Sequence, residues 1–266
     1  MNRKQCNLAW ILVVVSLSTA VVAQTPEDRN ILTQARQVYY NLRTHGMEGF
    51  RCDLTPDWEN LLQDERKTDP AKVDSAIQTL NQVHFVGSLG ADGKFRITHN
   101  ELTGQSREMN DALAQIYGGM QQMASGFYDT WQLFTVAIPL PEVESKYRLQ
   151  TVGPLYLLSY KEGDAAVATT MTKDFAISEM SVDTPAFHSA IHPTFTKTGS
   201  GLLLSGYDAV YEAPGKPEES THLNVLIDHQ EVSGVMMLQK LDLRGTYGGS
   251  KFAVIIGFSG CQVTKK

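Results

Sequence analysis

The stretch Ala165-Ala166-Val167-Ala168-Thr169-Thr170-Met171-Thr172-Lys173-Asp174-Phe175-Ala176-Ile177-Ser178-Glu179-Met180-Ser181-Val182 decides the fold class. Two runs rich in β-branched and apolar residues, 165–172 and 175–182, flank the turn pair Lys173-Asp174. Short runs of this composition joined by a turn read as neighbouring antiparallel strands. The same texture extends both ways: Tyr147–Thr151 and Tyr156–Lys161 precede it, and Leu202–Glu212, Leu223–Asp228, Val235–Leu243 and Lys251–Gln262 follow. Gly163-Asp164, Ala213-Pro214-Gly215-Lys216-Pro217 and Tyr247-Gly248-Gly249-Ser250 punctuate them. The expectation is a meander of about eight strands.

Upstream the period changes. Pro26 to Thr44 reads as a helix, with Ile31, Ala35, Val38 and Leu42 on one face, Thr25 as cap and Pro26 at the first helical position. Phe50–Leu54 reads as a strand, Trp58–Arg66 and Pro70–Gln82 as short helices, and Val83–Leu89 and Lys94–His99 as a hairpin about Gly90-Ala91-Asp92-Gly93. Gln105 to Phe134 is the longest helical stretch, with Met109, Leu113, Ile116, Met120, Met123, Phe127 and Trp131 recurring every three or four residues. Gly118-Gly119 sits inside it, where a kink or a close packing contact is expected. Segregated helices and strands predict an α+β fold, one antiparallel sheet with its helices gathered on one face.

Residues 1–23 have the layout of a cleavable export signal: Arg3 and Lys4, an apolar run from Leu8 to Val22, then Val21-Val22-Ala23. The run is too short to span a bilayer, so an exported chain of residues 24–266, a single domain, is expected. Losing Arg3 and Lys4 moves the formal charge from −6 to −8. An acidic chain without a basic cluster argues against nucleic acid as a partner, and no other stretch reads as membrane-spanning. Cys52 and Cys261 remain after cleavage, and in an oxidising compartment two cysteines favour one disulfide over two buried thiols.

Catalytic patterns are weak. His188 and His192 have the spacing of a zinc pair on a helix, but Pro185 and Pro193 bracket them. Ser200 and Ser259 stand beside glycines without a strand-to-helix elbow. Glu142 with Glu144, and Glu218 with Glu219, lie in proline-containing connections. The expectation is a non-enzyme with no cofactor and no metal. The strongest candidate is apolar: Leu113, Ile116, Met120, Met123, Phe127 and Trp131 would form a ligand wall, with methionines that repack around variable apolar shapes. Ordinary core packing against the sheet is the competing reading of the same stripe.

An export signal leads into an amphipathic helix and then the strand Gly49-Phe50-Arg51-Cys52-Asp53-Leu54. Late strands carry Gly201-Leu202-Leu203-Leu204-Ser205-Gly206-Tyr207, Asp228-His229-Gln230-Glu231-Val232-Ser233-Gly234-Val235-Met236 and Lys251-Phe252-Ala253-Val254-Ile255-Ile256-Gly257-Phe258. In this order of elements the chain resembles the outer-membrane lipoprotein carrier and sorting proteins, the LolA-like family. The resemblance implies a curved antiparallel sheet, an open half-barrel, with helices packed on its concave face. It also implies a periplasmic or secreted protein that holds a lipid or acyl chain in that cavity, with envelope proteins as further partners. The alternative is an envelope structural or protein-interaction module with a filled core.

Overall fold

A computed structural model describes residues 24–90 and 92–266; the expected export signal lies outside the described residues. Helix α1 (Pro26–Gln37) is followed by strand β1 (Met47–Pro56), the short helices α2 (Trp58–Leu61), α3 (Gln63–Thr68) and α4 (Pro70–Leu80), and the hairpin β2 (Phe85–Leu89) and β3 (Phe95–His99). The long helix α5 (Arg107–Thr135) comes next. Nine strands then run in succession: β4 (Tyr147–Val152), β5 (Leu155–Glu162), β6 (Ala165–Thr172), β7 (Ile177–Asp183), β8 (His188–Thr198), β9 (Gly201–Ala213), β10 (Lys216–Val232), β11 (Val235–Tyr247) and β12 (Ser250–Lys265).

All of them join one 12-stranded sheet in the order β3-β2-β1-β12-β11-β10-β9-β8-β7-β6-β5-β4, with every pairing antiparallel. The sheet is not closed: β3 and β4 are its two edges. The antiparallel α+β expectation holds, with one strand more in the meander than the sequence suggested. The extra strand is β8, the segment holding His188, His192 and Pro193. Pro193 pairs with Tyr207 of β9 and stands just past the last β7–β8 pair, Met180↔Ile191. A proline is tolerated there because one flank of the strand no longer carries a ladder.

Helix α1 starts as read, with Thr25 and Asp28 forming a reciprocal capping box, but ends at Gln37, not Thr44. Tertiary bonds override local periodicity. Leu202 N–H donates to Val38 O at 2.7 Å and Tyr40 N–H to Leu202 O at 2.9 Å, drawing residues 38–40 alongside β9. Gly201 (φ +124°) makes this approach fit, since a Cβ there would stand 2.6 Å from Val38 O. The two tyrosines that follow reach different hairpins. Tyr39 OH donates to Phe175 O at 2.5 Å and accepts from Ile177 N–H at 3.0 Å, at the β6–β7 turn. Tyr40 OH accepts from Met236 N–H at 2.8 Å, next to the β10–β11 turn.

Helix α5 packs against both β3 and β9. Phe95 of β3 stacks on Tyr128 with centroids 4.6 Å apart, and Tyr211 OH of β9 bonds Thr130 Oγ1 at 2.8 Å. Six strand steps separate β3 from β9; in a flat sheet that is about 29 Å at about 4.8 Å per step, more than twice the roughly 10–12 Å width of a helix with its side chains. The sheet must therefore bend between them. Gly206 and Gly245 lie on this stretch, and a Cβ at either would collide with the carbonyl oxygen of the neighbouring strand, that of Val225 and His222 respectively.

Cys52 of β1 and Cys261 of β12 form a disulfide, 209 residues apart in sequence, at an irregularity in the β1–β12 register. It ties the first strand to the last.

Three stability outcomes test this architecture. Gly206→Ala and Gly245→Ala should each lower the urea midpoint, by an amount equivalent to about 2–4 kcal/mol from forced backbone displacement. Gly118→Ala, in open space on α5, should raise it by up to about 1 kcal/mol. Cys52→Ser should destabilise by up to about 5 kcal/mol, the chain-entropy ceiling for a loop of this length, and adding Cys261→Ser should cost little more.

Candidate functional site

Ser106 caps α5 by accepting from Met109 N–H at 3.2 Å, and the apolar stripe does the rest. Of the six stripe residues, Leu113, Met120, Phe127 and Trp131 are buried, Trp131 completely. Ile116 and Met123 are half-buried and pack on the same hydrophobic cluster. Burial increases along the helix: the first turns are largely solvated, while Phe127, Tyr128, Trp131 and Phe134 are enclosed. Trp131 meets Phe50 of β1 edge-on at 6.2 Å, and Phe134 meets Phe195 of β8 at 6.1 Å. The first half rests instead on the β2–β3 hairpin, where Tyr117 stacks on His99 at 3.6 Å. Gln121 Oε1 accepts the N–H of Ile97 on edge strand β3 at 3.1 Å, and its Nε2 donates to Ser125 Oγ at 2.9 Å.

Against this apolar background several polar atoms stand alone. Trp131 Nε1 and Tyr128 OH are buried without a hydrogen-bond partner. Tyr207 OH, on β9, lies beside Thr130, whose Oγ1 is engaged by Tyr211, and makes no hydrogen bond itself. Burial pushes the Tyr128 and Tyr207 phenols well above their ordinary range, so both stay protonated donors. A buried donor left unpaired costs about 1–3 kcal/mol. The sequence reading includes Trp131 in the stripe, but that its donor and those of the tyrosines stand alone carries no periodic signal. Tyr128 falls just off the stripe axis. Tyr207 and Tyr211 are detectable only as the inward half of an alternating strand, with Asp208 and Glu212 outward.

The polar candidates disperse. His188 and His192 are on strand β8, not on a helix, and at strand rise residues four apart are separated by about 13 Å. His188 Nδ1 contacts Asp183 Oδ1 at 2.5 Å, and His192 Nδ1 lies 3.3 Å from Ser178 O. Ser200 sits in the β8–β9 turn and Ser259 within β12. Glu142 pairs with Arg36 at 2.6 Å and Glu219 with Lys216 at 2.7 Å. Among the described residues, no cluster of three or more His, Cys, Asp or Glu is arranged to hold a metal, and no helix is long and apolar enough to cross a membrane.

Three open clefts lie elsewhere. One of 760 Å³ lies between the α2–α3 segment and strands β9–β12. One of 910 Å³ lies along β4–β6 near Gln24, and one of 430 Å³ lies beside α1. None of these three is lined by any of the six stripe residues. No family model, curated protein or solved structure matches this chain.

One titrating group is enclosed in the sheet. His229 Nε2 is buried without a partner, and burial pushes the imidazole down to about 4, against a smaller upward pull from Asp228. The unfolded chain takes up this proton first, near pH 6.5, so the stability tied to neutral His229 is complete above that value and drains as pH falls towards 4. Denaturation midpoints at pH 7, 5.5 and 4.5 should fall by more in the wild type than in His229→Gln, the difference amounting to roughly 1–3 kcal/mol.

Proposed function

We propose that this protein is an exported, non-enzymatic binding protein of the cell envelope. It shelters a lipid or other acyl-bearing molecule between its curved sheet and the long helix α5, which we place on the concave face; the α2–α3 segment lies instead against the outward face of β9–β12. The observation that carries this reading is the pair of buried, unpartnered donors on α5, Trp131 Nε1 and Tyr128 OH. An apolar interior with unmet donors is completed by a guest that is greasy along most of its length and carries an acceptor, such as a carbonyl or ester oxygen.

The energetics suit carriage. Each methylene withdrawn from water contributes about 0.8 kcal/mol, so an acyl chain needs shelter outside the bilayer, while exchange between membrane and protein interior is nearly neutral. In the form described, α5 fills the space with its own side chains, and a guest enters by displacing the first half of the helix. That half is the less firmly held: Met109 and Ile116 are only half-buried, and Gly118 and Gly119, which face open space, lower its helix propensity. Methionine at 120 and 123 can repack around a chain of variable shape. The Cys52–Cys261 disulfide and the export layout of residues 1–23 both support an oxidising compartment outside the cytoplasm.

The second reading, an envelope interaction module with a filled core, is favoured by the complete burial of Trp131 and Phe134. One experiment separates the two. Protein purified without detergent is examined by native mass spectrometry, and the delipidated protein is titrated with a fluorescent fatty acid. The carrier reading expects an adduct of several hundred daltons and saturable uptake. It also expects Trp131→Phe to weaken uptake several-fold at a modest cost in stability, the cavity left by the smaller ring being partly offset by removal of an unpaired donor. No adduct together with no uptake overturns the carrier reading in favour of the filled core.

A further inference from the structure

The 760 Å³ cleft has a size typical of small-molecule sites, and its walls differ in charge. The sheet wall is the face turned away from the core. On β10 the solvent-facing His222 and Asn224 alternate with the core-facing Leu223 and Val225, and on β11 Arg244 and Thr246 alternate with Leu243. The registers align Val210, His222, Thr246 and Lys251 in one row across β9–β12, and Asp208, Asn224, Arg244 and Ala253 in the next. Thr246 thus has His222 on one side and Lys251 on the other, each at cross-strand distance, about 4.5–5.5 Å between Cβ atoms. Arg244 is two residues back along its own strand, about 7 Å away.

Three basic side chains therefore surround one hydroxyl. Arg244 is held in place: its Nε and Nη2 donate to Asp242 at 2.9 and 3.0 Å, leaving Nη1 for another acceptor. Among the described residues neither His222 nor Lys251 takes part in an ion pair. Two carboxylates stand on this face of the sheet: Asp208 accepts from Asn224 Nδ2 at 2.8 Å, and Asp242 is the partner of Arg244. The helical wall is acidic, with Asp64 and Glu65 on α3. Asp64 is paired to Lys67 at 2.6 Å, while Glu65 is in none of the ion pairs of the described residues.

We propose that this cleft binds a small zwitterion. Its oxyanion sits on the sheet wall against Arg244, Lys251, His222 and the Thr246 hydroxyl, and its cationic nitrogen faces Glu65 on the helical wall. The matching chemistry is an aminoalkyl phosphate, either free or as the headgroup of a lipid. The site is separate from the interior along α5 and stands or falls independently of the carrier reading.

The test is a heteronuclear NMR titration of the full exported chain with phosphoethanolamine, inorganic phosphate and ethanolamine in turn, alongside flotation with vesicles containing phosphatidylethanolamine or lacking it. Phosphoethanolamine is expected to shift the amides of residues 244–246 and 63–65 saturably, at least tenfold more tightly than either half alone. Arg244→Gln with Lys251→Gln should abolish the shift, and Glu65→Gln should bring phosphoethanolamine down to the affinity of phosphate. All three positions are solvent-exposed or at the cleft rim, and unchanged melting curves confirm the fold. Binding of the soluble compound without flotation assigns the free molecule, and flotation that depends on phosphatidylethanolamine and on Arg244 assigns the lipid. If phosphate binds as tightly as phosphoethanolamine, or if the double variant titrates like wild type without headgroup-dependent flotation, the proposal is overturned.

Discussion

One helix has to satisfy strands at widely separated places in a single sheet, and the rest of the architecture answers to that demand. Tyr128 and Thr130 are two residues apart, so they point to nearly opposite sides of α5; one meets β3 and the other β9. Burying both sides of the helix leaves no room for a flat sheet. The glycines at 206 and 245 allow neighbouring backbones to come closer than any side chain would permit, and the chain after α1 locks the bent form. Tyr39 and Tyr40 are adjacent in sequence yet hold the β6–β7 and β10–β11 turns in fixed relation to each other. Phe175, which takes the left-handed conformation at φ 64°, is one of the residues so held.

Much of this organisation is written in local pattern. The capping box of α1, the stripe of α5 and the alternation within β6, β9 and β11 each announce their element, because in each the apolar period coincides with a surface that is actually covered. The failures have a common cause. Residues 38–44 continue a helical period, yet Val38 and Tyr40 bond Leu202 of β9 and Leu42 N–H donates to Thr135 O of α5; the approach to β9 is set by Gly201, more than 160 residues from Val38 and Tyr40. Pro193 reads as a breaker unless it is known that β7 ends its pairing just before it. In both places the local sequence carries no signal about the neighbour that decides the outcome.

The same distinction applies to the sites. The stripe on α5 is legible because it is periodic, and its residues do face the apolar cluster. The lone donors beside it are invisible to periodicity, since an unpaired Trp or Tyr differs from a paired one only in what lies across from it. The cleft over β9–β12 is less legible still. His222, Arg244, Thr246 and Lys251 are scattered over three strands and become neighbours only through register. Nothing in their sequence spacing marks them as a group.

The placement of β1 has a consequence for biogenesis. A strand made early hydrogen-bonds to β12, made much later, and a covalent bridge spanning 209 residues joins them. Contacts of such sequence separation are the slowest to form. The β1–β3 ladder therefore waits with one flank open until β12 has been made. During that interval the nascent chain exposes an incomplete apolar surface, and a holding chaperone would shield it from aggregation until β1 and β12 meet.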